Sequence, residues 1–172
     1  MAGALPPPGC YFLDYVQYYQ ANKMAGPNGE NAVPDFDLEV FANVFRFVHV
    51  TKAQILGASY AAHVFVPVVN VDVTVPGLND SKAGIGDIIV DPLILGWHSK
   101  NVHCIAAVDV YIPSGNFEAT DLANVSRGYW TIEPIVAATY LSDAGLDLSA
   151  KVMYDFNLEN TDTDYQSGQE LH

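Results

Sequence analysis

Between Tyr129 and Phe156 every second residue belongs to one chemical class, and that periodicity limits what the chain can fold into. Trp130, Ile132, Pro134, Val136, Ala138 and Tyr140 are apolar or aromatic, whereas Thr131, Glu133, Ile135, Ala137 and Thr139 form a more polar set. After Ser142-Asp143-Ala144 the alternation resumes with Leu146, Leu148, Ala150, Val152, Tyr154 and Phe156, set against Asp147, Ser149, Lys151, Met153 and Asp155. A period of two places alternate side chains on opposite faces of an extended strand, so this stretch reads as a hairpin with one greasy and one wet face. Its aromatics cluster near the strand ends. That is the profile of a membrane-crossing strand, about 9–11 residues long with aromatic girdles at both interfaces. On this reading Val136 and Val152 face lipid, and Val136→Arg should cost more than Ala137→Arg. With the turn centred on Asp143, Ile135 lies opposite Lys151, and Lys151 is expected to bridge Glu133 and Asp155.

The same logic extends along the chain. Seven segments rich in β-branched and aromatic residues read as strands: 10–21, 37–50, 54–75, 84–98, 102–113, 128–141 and 145–157, with an eighth beginning near Gly168. Gly, Pro, Asn and Asp gather between them. The connections alternate long or medium (22–34, 76–83, 114–127, 158–167) with short (51–53, 99–101, 142–144). An up-and-down barrel in an outer membrane has that order, with long external loops and tight periplasmic turns. The expected fold is therefore all-β, an antiparallel up-and-down meander forming an incomplete transmembrane β-barrel. A soluble lipocalin-like barrel or sandwich, with apolar faces inward, alternates equally well and is the competing reading.

Half of the residues are hydrophobic, yet no run approaches the roughly 20 apolar residues of a membrane helix. The longest apolar stretches are broken by Pro67, Asn70, Asp72, Asp87 and Asp91. A net charge of −13 excludes a nucleic-acid partner, since phosphate binding needs a cationic surface. Cys10 and Cys104 fit no metal spacing; they are either free thiols or one long-range disulfide. No basic and apolar leader precedes Leu5-Pro6-Pro7-Pro8. The expectation is a single domain, 1–172, truncated at both ends, with the signal peptide and the closing strands missing.

No residues read as catalytic, cofactor-binding or metal-binding. His98 and His103 flank a tight turn with no third ligand in sight. Asn160-Thr161-Asp162-Thr163-Asp164 resembles a calcium loop only faintly, because Tyr165 occupies the glycine position. The acids find a coherent role lining a wet interior, where cations must offset them. The candidate lumen-lining residues are Asp87, Asp91, Asp109, Glu133, Lys151, Asp155 and Arg46, with Asp14, Asn43 and Asp72 on the same face. Asp91-Pro92 and Glu133-Pro134 suggest bulges that re-aim the acid. Arg46 breaks the apolar parity of Leu38, Val40, Ala42 and Val44, which suggests either a bulge near 43–45 or a snorkelling side chain.

Several stretches resemble a known family. GDIIVDPLILGWHSKN (86–101), DVYIPSGNF (109–117) and GYWTIEPIVAATYL (128–141), together with both ends of the chain, resemble the outer-membrane β-barrel family named for the meta-pathway of phenol degradation. The resemblance implies a Gram-negative outer-membrane location, contact with outer-membrane lipid, and passage of small hydrophobic, aromatic compounds linked to aromatic catabolism. It implies no bond-making chemistry and no cofactor. Family members look like secreted precursors that continue for several strands past the position of His172.

Overall fold

In a computed structural model of the chain, which describes residues 2–172, one antiparallel sheet accounts for nearly all regular structure. Its strands are β1 (Gly9–Ala21), β2 (Asp37–Ile55), β3 (Ala58–Val75), β4 (Leu78–Ile85), β5 (Ile88–His98), β6 (Val102–Ile112), β7 (Thr131–Leu141) and β8 (Asp147–Asn157). Two short pieces, β9 (Glu159–Asn160) and β10 (Tyr165–Gln166), pair with each other, and β11 (Glu170–Leu171) adds to β8. The spatial order β1-β2-β3-β5-β6-β7-β8-β11 follows the chain, as an up-and-down meander requires. Among the described residues, no helix is long and apolar enough to cross a membrane.

Turn chemistry explains where the strands reverse. β2 continues past the expected 51–53 turn and reverses at Leu56-Gly57, both at positive φ (52° and 76°). Two left-handed residues form the hairpin turn whose twist matches that of the flanking strands. Pro76-Gly77, with Gly77 at φ 78°, reverses the chain after β3. The stretch 76–83, expected to be a loop, is therefore mostly strand: β4 folds back on the upper half of β3, and β5 takes the lower half. The hairpin β7–β8 turns over Ser142–Leu146, with Gly145 at φ 86° and Leu146 N–H bonded to Ser142 Oγ.

One of the proline expectations holds in the ladder and the other does not. Pairing shifts between Val90 and Ile94, so a bulge sits at Asp91-Pro92-Leu93, where Pro92 has no N–H to donate. Asp91 Oδ1 accepts the Leu93 N–H at 2.9 Å and holds the bulge shut. At Pro134 the register runs through unbroken, from Ile132–Phe156 to Ile135–Met153. The β1–β2 and β2–β3 registers are also continuous past Asn43, Phe45 and Arg46, so no bulge explains Arg46.

Burial sorts the two faces. The inner face carries residues 2–8 and the loop 113–130. Gly3 N–H bonds to Thr139 Oγ1 at 2.9 Å, Tyr11 Oη bonds to the Pro7 carbonyl, and Leu5 packs on Val48, Val50, Ala61, Ile94, Ala107 and Ile135. Farther along the strands a second cluster joins Val71 and Val73 to Phe36, Ala123 and Val125 from the loops. The outer face is bare and mostly apolar, with Phe12, Val16, Phe41, Phe47, Val136 and Val152 all exposed. Along β7, Val136 is 58% exposed while Glu133 is 4% exposed. Trp130 and Phe156 lie exposed at one end of the hairpin and Tyr140 at the other, with Trp97 near that second end on β5.

Arg46 now has a simple account. Leu38, Val40, Ala42, Val44, Arg46, Val48 and Val50 share the inner face, and the exposed Phe41 and Phe47 lie on the outer one. The inner face of β2 is apolar but for Arg46, and its outer face mixes Phe41, Phe45 and Phe47 with Glu39, Asn43 and His49, so parity alone made the inner face look like the greasy outer one. The register also corrects the placement of Asp14, Asn43 and Asp72. They fall on the outer face, in line with Phe45, Val16 and Glu39 respectively. Neither β1 nor most of β8 has a second partner strand among the described residues.

Candidate functional site

A row of titratable side chains crosses the inner face at one level. Pairing sets His63 opposite Asp91, Asp109 opposite Glu133, and Asp155 opposite Glu170. The bulge brings Asp91 to Asp109, and the pairs flanking Pro134 set Glu133 against Asp155. Asp91, Asp109, Glu133 and Asp155 are all buried. Like charges about 5 Å apart repel by roughly 3 kcal/mol at an effective dielectric of about 20. Such a row persists only with compensating partners.

The partners are specific. His63 Nε2 lies 3.0 Å from Asp109 Oδ1, and Arg46 Nη2 lies 2.9 Å from His63 Nδ1. A guanidinium can only donate, so His63 Nδ1 accepts, and the ring proton sits on Nε2 and points at Asp109. Arg46 stacks on the Phe65 ring at 4.9 Å and reaches Tyr15 Oη. Tyr111 Oη donates to Glu133 Oε2 at 3.4 Å. Asp155 has Arg127 at 4.0 Å and His172 at 3.8 Å. Among the described residues, Asp91 Oδ2 and Asp155 Oδ1 accept from no protein donor.

Could the row hold a metal? His63, Asp91 and Asp109 offer ligand atoms within 4.8 Å of one another, as do Asp155, Glu170 and His172. In the first group both imidazole nitrogens are already used, one by Arg46 and one as the proton donor to Asp109. No lone pair is left for an ion. The second group is exposed apart from Asp155.

Asp91, Asp109, Glu133 and Asp155 fall in the row, and Arg46 and Lys151 border a cavity of the inner face together with Asp91 and Asp109. Asp87 lies elsewhere. Between β4 and β5 it accepts the backbone N–H groups of Gly115 and Arg127, tying down the loop 113–130. The same loop is held by Lys82, whose ammonium contacts Asn116, Asp121 and Asn124, and by Asp80, which accepts the Ala123 N–H at 2.8 Å. That bond holds the Asp80 carboxyl below the ordinary carboxylate range.

The expected Lys151 bridge between Glu133 and Asp155 does not form. Lys151 pairs with Ala137, not Ile135, because the five-residue turn moves the register by two. A shift of two preserves the face, so Lys151 still points inward. Sequence reasoning missed His63, although its inner parity with Ala61 and Phe65 marks it. It also missed residues 2–8 as an inner strap, for which the rigid Pro6-Pro7-Pro8 run was a signal. Cys10 and Cys104 are free thiols, which resolves the open alternative. His98 and His103 do meet, Nδ1 to Nδ1 at 3.1 Å.

A cavity of about 540 Å³ lies between the strap and the sheet. Its wall includes Leu5, Phe65, Ile94, Ile105 and Ile135, together with Arg46, His63, Asp91, Asp109 and Lys151. The arrangement can enclose an apolar body against a charged wall, and it contains no nucleophile-and-base pair.

Comparison with known proteins bears on the fold. Residues 21–172 match the family model described as "Putative MetA-pathway of phenol degradation". A solved structure, an outer membrane channel from Pseudomonas putida F1, is similar over 99% of this chain and 65% of that one, with a TM-score of 0.82 and 19% identity. This chain thus spans about 65% of that channel's length. No curated protein matches.

Proposed function

The chain belongs to the MetA phenol-degradation family, and from that premise we propose that it builds the wall of an outer-membrane channel or uptake protein for small hydrophobic, aromatic compounds. The observation that carries this reading is the inverted burial of β7, with Glu133, Thr131 and Thr139 buried and Val136, Ile132 and Tyr140 exposed. A soluble barrel requires the opposite pattern. The likeness in fold to an outer membrane channel supports the same reading. In this proposal the outer face contacts outer-membrane lipid, and no bond is made or broken. Passage is diffusive. Asp91, Asp109, Glu133, Asp155, Arg46 and Lys151 line the interior, and Asp87 anchors the loop above it.

Backbone polar groups left unpaired in lipid cost several kcal/mol each. The free edges of β1 and β8 therefore call for further strands, and a sheet closed by them belongs to the same proposal. The test is transport. Proteoliposomes containing the protein should take up a labelled alkylbenzene faster than empty vesicles. Equal rates, or a wild-type protein that stays soluble and monodisperse in plain buffer, would contradict the proposal.

A further inference from the structure

The cavity wall contains four formal charges, and they are not equally reachable. Asp91 is 0% exposed, and its Oδ1 is taken by the Leu93 N–H of the bulge. Asp109 is buried, and its Oδ1 is taken by His63. The two cations are different. Lys151 is exposed on the inner side of β8. Arg46 is half-buried and held in place by three contacts: the Phe65 ring, Tyr15 Oη and His63 Nδ1. None of those three is an anion. Among the described residues, no carboxylate lies within 4.0 Å of either cation. Arg46 Nε is a buried donor with no acceptor among those residues.

A guanidinium fixed in position without a counter-ion is preorganised for an anion, because little side-chain entropy remains to be lost on binding. Lys151 supplies a second, mobile charge in the same cavity. The rest of the wall (Leu5, Phe65, Ile94, Ile105 and Ile135) suits an apolar body.

We infer that this cavity binds a hydrophobic carboxylate, an aromatic or alkyl body carrying one anionic head, with Arg46 and Lys151 as the head-group residues. The inference rests on the reading that the protein takes hydrophobic molecules into its interior, and it narrows that class. The net charge of −13 does not oppose it, since the acids of the cavity wall are withdrawn from the ligand and the cations are not. A cationic head would meet two reachable like charges and is disfavoured. A neutral head would leave both cations without an anion.

The test compares three ligands of one shape, para-pentylbenzoate, para-pentylbenzamide and para-pentylbenzylamine. Binding to the detergent-solubilised protein is measured by calorimetry near neutral pH. The benzoate should bind at least about tenfold more tightly than the benzamide, the usual effect of one charge-assisted hydrogen bond. Lys151→Met and Arg46→Gln should each reduce that preference to about threefold or less. Lys100→Gln, at an exposed turn outside the cavity, should leave it intact. If Arg46→Gln fails to fold, Lys151→Met carries the test alone, since its side chain is exposed and makes no hydrogen bond in the sheet. Equal binding of benzoate and benzamide, or tightest binding of the amine, overturns this inference and leaves the hydrophobic-ligand reading standing. Binding of none of the three overturns that reading, and this inference with it.

Discussion

β2 and β7 sit in the same sheet and present their faces in different ways. On β7 the inner residues are Thr131, Glu133, Ile135, Ala137 and Thr139, and the outer ones are bulkier and apolar. On β2 the inner residues are Leu38, Val40, Ala42, Val44, Val48 and Val50, apolar but for Arg46 among them, while the outer Phe41, Phe45 and Phe47 alternate with Glu39, Asn43 and His49. The difference follows from what lies above each. Val48 and Val50 are covered by Leu5 of the strap, and Leu38 and Val40 pack against the second cluster, whose members include Phe36, Ala123 and Val125. The inner end of β7 near Glu133 faces the charged row instead. In this sheet apolar residues lie either bare on the outer face or under covering chain on the inner one, and only the polar inner row of β6, β7 and β8 tells the two apart.

The largest effect expected from that contrast is at Val136. On the bare face of β7, Val136→Arg should cost about 2–4 kcal/mol of stability in lipid. Ala137→Arg, which alternation alone marks as mild, should cost about 1–3 kcal/mol through overpacking, because Ala137 is buried on the inner side. Denaturant unfolding in vesicles checks both. An Ala137→Arg variant as stable as wild type would mean that the inner face is an open aqueous surface there.

Next comes the row itself. His63→Leu removes the donor to Asp109 and the acceptor for Arg46 together, and should cost about 1–3 kcal/mol. The same unfolding assay reads it, and a neutral substitution would show that the His63 network carries no stability.

Most of this architecture was legible from the residues alone. Alternation located the hairpin at 129–156, and the Pro92 ladder gap was visible as a proline in a strand. Three features were not legible. The register of β7–β8 depends on a turn of five residues where the alternation permits three, since both keep the same faces together. β4 looked like a loop because Asn79-Asp80-Ser81-Lys82 has the composition of one, and Pro76-Gly77 reverses the chain early enough to make it a strand. The charged row is a product of cross-strand pairing, so it could be seen only once six strands had been put in register.

Smaller effects separate the loop from the wall. Lys82→Met removes one ammonium from three loop acceptors and should cost about 1 kcal/mol or less. Its clearer readout is faster hydrogen exchange in residues 116–126, with β7 unchanged. Acid should act similarly through Asp80. Its carboxyl titrates lower in the folded state than in the unfolded one, so its contribution is present at neutral pH and is lost as pH falls through the folded value. Protection of the Ala123 amide should fall over that range. The smallest effect is at the exposed pair Lys100–Asp143, at 2.7 Å across the ends of two turns, where Lys100→Ala should change stability by less than about 0.5 kcal/mol.

The central claim is that the bare face meets lipid and the face bearing the row does not. Single cysteines at 135, 136, 152 and 153, introduced with Cys10 and Cys104 replaced by serine, can be spin-labelled in vesicles. Their collision rates with oxygen, which concentrates in the acyl region, and with a polar nickel chelate then report the environment directly. Labels at positions 136 and 152 should collide often with oxygen and rarely with nickel, and those at 135 and 153 should collide rarely with oxygen. High oxygen accessibility at 135 and 153, or nickel accessibility at 136 and 152, would contradict the assignment of faces on which the account depends.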